Sequence, residues 1–249
     1  MPEFIIYLKN ITVNFNGFKA LNKVDFAVGK GELRMLIGPN GAGKTTLIDV
    51  ISGRIKPQAG KVYFKGENIY GFPEYRIAQL GISRKFQTPT VFNNLSVLEN
   101  MEISLNKAKG VFSNFKFGKL KSDLDKIISV LQTIGLEGKA GQRAGILAHG
   151  EKQWLELGMN IVQEPVLLLV DEPVAGMTGK ERDKTGELLQ LISRDRSVVV
   201  VEHDMEFVRK IAKKVTVLHE GAILCEGTMA EIQANPVVLK VYLGRAEEG

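Results

Sequence analysis

Hydrophobic and polar positions along the chain follow two alternating periods. Residues 5–15 are rich in β-branched and aromatic types, and 23–28 alternate apolar with polar, so both segments predict strands. A short apolar run at 33–37 ends at a glycine cluster, and 45–52 then carries a helical period that closes at Gly53. Residues 61–65 and 81–86 read as further strands. From 96 to 164 the period is mostly helical, with helices predicted over 97–105, 124–134 and 152–162. Strands return at 166–170, a continuous apolar run of the kind buried on both faces, and at 197–202. Helices are predicted over 180–193 and 206–212, and a hairpin over 215–219 and 222–226 around Glu220-Gly221. A short helical tail follows and frays from Gly244. This alternation with a helical insert predicts one α/β domain carrying a helical subdomain, without repeats or a dividing linker.

Composition narrows the class. The chain has 249 residues, 44% hydrophobic and 24% charged, which excludes disorder as its main character. Cys225 is the only cysteine, which excludes a disulfide scaffold. Net charge is +5, a mild excess without the concentrated patch of a nucleic-acid binder. The densest basic stretch, 107–121, holds five lysines interleaved with Phe112, Phe115 and Phe117. It reads first as a solvated loop, and second as a contact with lipid headgroups or a membrane partner. Apolar runs fall short of the ~18–20 residues of a membrane span, and the N-terminus lacks a secretory pattern, so a cytoplasmic protein is expected.

The glycine cluster carries chemistry. Gly38-Pro39-Asn40-Gly41-Ala42-Gly43-Lys44-Thr45-Thr46 fits the phosphate-loop pattern between a strand and a helix. Glycines let several backbone N–H groups converge on one anion, and the helix start adds its positive dipole end. Lys44 supplies a mobile charge for the β- and γ-phosphates, and the Thr45 hydroxyl is placed to ligate Mg²⁺. A second site lies at the end of the 166–170 strand, where Asp171-Glu172 reaches the sheet's carboxyl edge. Asp171 can hold Mg²⁺ or its waters, and Glu172 can accept a proton from an attacking water.

More pieces line up in order: Gln87 after a strand, Leu147-Ala148-His149-Gly150-Glu151 ahead of Asp171, and His203 after the 197–202 strand. Across essentially the whole chain this order resembles the ATP-binding subunit of ABC transporters. The resemblance implies an ABC ATPase core of the P-loop type, with an antiparallel β subdomain and a helical subdomain at about 88–164. It implies that Phe15, with Phe18 as its rival, stacks on adenine. Gln87 would touch Mg²⁺ or water and link the core to the helical subdomain. Residues 147–151 would be the signature that binds the γ-phosphate held by an opposite monomer, and His203 the switch histidine. ATP and Mg²⁺ are then the expected ligands. The expected partners are a second ATP-binding subunit, identical or homologous, transmembrane permease subunits and, indirectly, a periplasmic binding protein. The place expected is the cytoplasmic face of the plasma membrane.

Glu202-His203-Asp204-Met205, Asp171-Glu172-Pro173-Val174-Ala175-Gly176-Met177-Thr178, Arg84-Lys85-Phe86-Gln87 and Val241-Tyr242-Leu243-Gly244 resemble importers of branched-chain amino acids and urea. A signature histidine followed by Lys152-Gln153-Trp154-Leu155-Glu156 makes the urea branch the nearest. Three positions depart from the family pattern. Ala148 stands where the signature serine is usual, Glu151 where glutamine is usual, and Thr178 where the D-loop has aspartate. A hydroxyl bonded to a charged group is worth about 1.5–3 kcal/mol, so Ala148 implies a weaker ATP-closed dimer, and Glu151 adds negative charge near the phosphates.

The competing classes share parts of this set. An exporter or lipid-transport ATPase would carry every catalytic motif. A soluble ABC protein of translation or DNA repair usually has two cassettes or a long coiled-coil insert, and an unrelated P-loop kinase or GTPase lacks the signature and switch histidine. His219 reads as a turn residue, Trp154 as packing within the helical subdomain, and Cys225, Met159, Met205 and Met229 as apolar filling.

Overall fold

The computed structural model describes residues 4–87, 90–109 and 117–243. The middle of the basic, aromatic stretch (110–116) and the tail from 244 lie outside the described residues. The chain opens with two long strands, β1 (Phe4–Phe15) and β2 (Phe18–Gly29), joined by a tight turn at Asn16-Gly17. The short strand β3 (Leu33–Ile37) leads into α1 (Lys44–Ile51). β4 (Ala59–Phe64), the two-residue β5 (Glu67–Asn68) and α2 (Glu74–Gln79) follow, then β6 (Ile82–Lys85). Three longer helices come next: α3 (Val97–Lys109), α4 (Phe117–Ile134) and α5 (His149–Ile161). The core resumes with β7 (Leu167–Asp171), α6 (Gly179–Ile192), β8 (Ser197–Val201) and α7 (Met205–Ile211). It ends with the hairpin β9 (Lys214–His219) and β10 (Ala222–Gly227), then α8 (Met229–Ala234) and α9 (Pro236–Leu243).

Two sheets result. One is antiparallel in the order β2-β1-β4-β5; the other has the order β10-β9-β3-β8-β7-β6, parallel except for its edge strand β10. β3, β7 and β8 are buried at every residue, so β7 and β8 read as apolar runs, while β3 also buries Arg34, which is paired with Glu32 and Glu226. Alternate residues serve two cores. Met35, Leu168, Val170, Val198 and Val200 face the core shared with α3, α4, α5, α6 and α7. Leu36, Leu167, Leu169, Val199 and Val201 face α1 and the antiparallel sheet.

The pattern missed β5 and α2, which are too short to show a period, and it began β2 and α4 late. Trp154 is buried, but its indole N–H donates to Thr185 Oγ1 of α6 at 2.9 Å and Lys184 Nζ lies 3.8 Å over its ring. It therefore packs against the core and not only within the helical insert. Cys225 is half-buried against the core, and burial pushes its thiol up.

Two side chains rivet α5 to β6. Ser83 Oγ donates to Asn160 Oδ1 at 2.6 Å, and Lys85 faces Glu156 Oε2 at 3.5 Å with both side chains almost fully buried. Burial lowers the Lys85 pKa and raises that of Glu156, while each partner opposes the other's shift. Glu156 also accepts from Thr90 N and Oγ1. Removing one ion of a buried pair leaves the other uncompensated, at about 3–5 kcal/mol. Lys85→Met should lose that much in urea unfolding, and Lys85→Met/Glu156→Gln should recover most of it. Equal losses in the two proteins would show that the pair carries no such coupling.

Candidate functional site

The carboxyl ends of β3, β7 and β8 lie side by side, with Leu36 opposite Val201 and Asp171 opposite Val201 in register. This places the 38–46 loop, Asp171-Glu172 and His203 along one sheet edge.

The loop is set by its glycines. Gly38 has φ +151, and a Cβ there would sit 2.1 Å from Leu218 O; at Gly43, φ +102, it would sit 2.4 Å from Ala20 O. Gly43 caps α1, whose first residue is Lys44. Lys44 is buried and donates to Gly38 O at 2.7 Å and Pro39 O at 3.0 Å. Burial lowers its pKa against the opposing pull of Glu172, Asp171 and Glu202. A cavity of about 350 Å³ beside the loop is lined by Phe18, Lys19, Pro39, Asn40, Gly41, Ala42, His219 and Glu220. Phe18 thus lines this cavity, whereas Phe15, its cross-strand partner, is half-exposed outside the lining. His219 closes β9 and lines the same cavity.

Across the edge three side chains converge. Gln87 Nε2 donates to Glu172 Oε2 at 2.6 Å, and His203 Nδ1 lies 3.4 Å from Glu172 Oε1. Glu172 adopts φ +44, a left-handed conformation that costs a non-glycine residue about 1–3 kcal/mol, and its N–H is held by Val201 O at 2.9 Å. Asp171 is buried, and burial raises its pKa against the opposing pull of Arg84, whose Nη2 lies 3.4 Å from Oδ2. Pattern and motif assign no role to Glu202. It is buried, and its carboxylate accepts from the N–H groups of His203, Asp204 and Val174 at 2.8, 3.1 and 3.3 Å. Burial raises its pKa against those three donors. Glu202 thereby fixes the backbone that presents His203. The sequence marks it only as an acid at the end of the 197–202 strand, directly before His203.

Residues 147–151 start α5, with Ala148 as its N-cap. His149 Nε2 lies 3.1 Å from Ala175 O of the same chain, so its ring bridges to the segment after Glu172. A Cβ at Gly150 would sit 2.3 Å from Glu181 Oε1, so any side chain there displaces the carboxylate that caps α6. Glu151 accepts from Lys139 Nζ and from Ala148 N, so its charge is paired and spent on capping α5. Thr178 caps α6 reciprocally with Glu181. Among the described residues no hydrogen bond or ion pair joins 147–151 to the 38–46 loop.

The family model described as ABC transporter matches residues 21–175, more than half of the chain. The chain belongs to the ABC transporter family. A second model, described as branched-chain amino acid ATP-binding cassette transporter, matches residues 222–248. The chain is 33% identical to the high-affinity branched-chain amino acid transport ATP-binding protein LivG of Salmonella typhimurium, over 99% of this chain and 100% of that protein. It is also 33% identical to BraF of Pseudomonas aeruginosa, a protein of the same description, with the same coverage. Among solved structures it resembles a nucleotide-free ATP-binding cassette of an ABC transporter (TM-score 0.84, 29% identity, covering 96% of this chain and 98% of that one). It resembles the ADP conformation of such a cassette equally (TM-score 0.84, 30% identity, covering 97% and 99%). This ABC protein is therefore an ATP-binding, ATP-hydrolysing subunit of the branched-chain amino acid importer type. Among the described residues no helix is long and apolar enough to cross a membrane.

The crowding at the loop glycines can be tested. Gly38→Ala should unfold at least several degrees below the parent, because the blocking atom is a backbone oxygen. Gly41→Ala meets nothing within 4 Å and should lose only the ~1–2 kcal/mol of a left-handed alanine. Equal unfolding temperatures for the two variants would contradict the crowding at Gly38.

Proposed function

We propose that the loop 38–46 and the Gln87–Glu172–His203 cluster form the site at which this subunit hydrolyses ATP to energise import. The convergence of an amide, a carboxylate and an imidazole across from Lys44 carries this reading. Lys44 leaves its loop carbonyls to meet the β- and γ-phosphates, and the backbone of Gly38, Pro39, Asn40, Gly41, Ala42 and Gly43, with Thr45 and Thr46, cradles them. Glu172 accepts the proton of the attacking water or orients it, and His203 contacts the γ-phosphate from its Glu202-held backbone. The donor set also suits Mg²⁺, since Thr45, Gln87 and Asp171 offer hard oxygens and too few of them for a dedicated cage. Bound there, Mg²⁺ would offset charge on the phosphates. Adenine stacks on the hairpin aromatics, Phe15 by family position and Phe18 by its place in the cavity wall.

We read the working unit as a head-to-tail pair of ATP-binding subunits, each nucleotide lying between one loop and the other chain's Leu147-Ala148-His149-Gly150-Glu151. The segment at about 88–164 forms the helical subdomain that passes movement of Gln87 to transmembrane permease subunits, which hold this chain at the cytoplasmic face of the membrane. A periplasmic binding protein supplies the cargo. The relatives' descriptions favour a branched-chain amino acid as that cargo. Urea is the second reading, carried by His149 and the residues after it. Affinity capture from native membranes, followed by mass spectrometry, should recover permease-type subunits and a binding protein whose ligand decides between the two. Capture without any membrane subunit would refute the transporter assignment of this unit.

Two substitutions address the chemistry. Glu172→Gln should bind ATP, lose at least about 100-fold in turnover and accumulate as an ATP dimer on gel filtration. Near-normal ATPase activity would exclude Glu172 as the base or water-orienting group. Ala148→Ser adds the missing hydroxyl and should strengthen ATP-driven dimerisation about tenfold, the scale of one bond to a charged group. No gain in dimerisation or ATPase rate would show that Ala148 does not weaken the closed state.

A further inference from the structure

Arg84 ties three elements together from inside the molecule. Its side chain is 6% exposed on β6. Nη1 pairs closely with Asp49 of α1 and lies 3.4 Å from Ser52 Oγ, while Nη2 lies 3.4 Å from Asp171 Oδ2 at the end of β7. The guanidinium stacks 4.8 Å from the Phe86 ring, and its Nε is buried without a hydrogen-bond partner. A guanidinium is retained in such a place only against charge that needs it.

Asp49, Asp171 and Glu172 supply that charge. Two other cations act on this region: Lys44 is bonded to Gly38 O and Pro39 O, and Lys85, which also feels the Asp171 charge, is paired with Glu156. Arg84 is the one cation in an ion pair with Asp171 among the described residues. The pairing is uneven. The close bond goes to Asp49, and Asp171 receives a single long contact from one nitrogen. A guanidinium clamped on Asp171 through both nitrogens would hold its lone pairs against any other cation. Anchored on Asp49, it balances Asp171 from a distance through Oδ2 and leaves Oδ1 without a bond from the guanidinium.

We propose that Arg84, anchored by Asp49, is the resident counter-cation of Asp171: it balances and positions that carboxylate until a metal–nucleotide complex shares it. This rests on the reading of Asp171 as a metal carboxylate. Arg84 is a positioning residue in this scheme and does not touch substrate.

The test uses Mg²⁺ itself on the nucleotide-free chain. Arg84→Met strips the counter-charge, so its unfolding temperature should fall in EDTA and recover by several degrees in millimolar Mg²⁺, beyond the effect of sodium chloride at equal ionic strength. The parent should not respond to Mg²⁺ alone, and Arg84→Met/Asp171→Asn should lose the recovery. An Arg84→Met protein indifferent to Mg²⁺ would overturn the proposal. Should Arg84→Met fail to fold, Asp49→Asn takes its place by freeing the guanidinium to close on Asp171. The ratio of ATP affinity in Mg²⁺ to that in EDTA should then fall about 10-fold or more, the usual scale for groups behind a metal ligand, with metal-free affinity unchanged. An unchanged ratio, or equal losses with and without metal, would overturn the proposal. Asp171→Asn separates the two readings: if it keeps the full Mg²⁺-dependent gain, the metal role of Asp171 fails whatever Arg84 does.

Discussion

Every side chain of the nucleotide edge depends on the register in which β8 lies between β3 and β7. Val201 is the hub: it pairs with Leu36 on one side and Asp171 on the other, and its carbonyl holds the N–H of Glu172. A slip of one residue would turn each strand's apolar set to the wrong core and carry Asp171 and His203 out of line. The register is fixed because both faces of these strands are buried, so no neighbouring pairing can satisfy the two cores together. Glu172 is held in a left-handed conformation at the same point, an arrangement that only an over-determined frame sustains.

The polar groups of this frame satisfy one another. Lys44 folds back on its own loop, Gln87 binds Glu172, and the ring of His149 reaches Ala175 O. Each of these bonds lies within the chain and uses a group that the proposed reaction would turn elsewhere. Buried cations and carboxylates that stayed unpaired would cost several kcal/mol apiece. The self-pairing therefore keeps an open site stable while leaving bonds that a ligand can exchange one for one.

Much of this was legible in the sequence, and the reason is contiguity. The phosphate loop, Asp171-Glu172 and His203 each sit at the end of an apolar run, so pattern and motif marked them together. The strands β3 and β8 and the helix α6 were found within one residue at each end. What escaped depends on residues far apart in the chain. Nothing local shows that Arg84 meets Asp49 and Asp171, or that Glu202 holds the N–H of Val174. The charge expected of Glu151 near the phosphates is instead paired with Lys139, twelve residues upstream. Trp154 reads as filling of its own helix until α6 is placed beside it. The choice between Phe15 and Phe18 turns on which side of the hairpin faces the loop, and the bulges in β1 hide that from a simple alternation.

Arg84 and Lys85 are neighbours on β6, and alternation sends them to opposite faces of the sheet. One grips α1 and the edge of β7; the other grips α5. Gln87 leaves the strand two residues later. The strand end is thus bolted on both sides of the sheet, and Gln87 just beyond it is held by Glu172 and by Gln153, whose Nε2 donates to the Gln87 carbonyl at 3.4 Å. Any displacement of this strand end would work against its bonds to α1 and to α5 together. The phosphate-loop side and the 147–151 side of the chain are thus joined through one short strand.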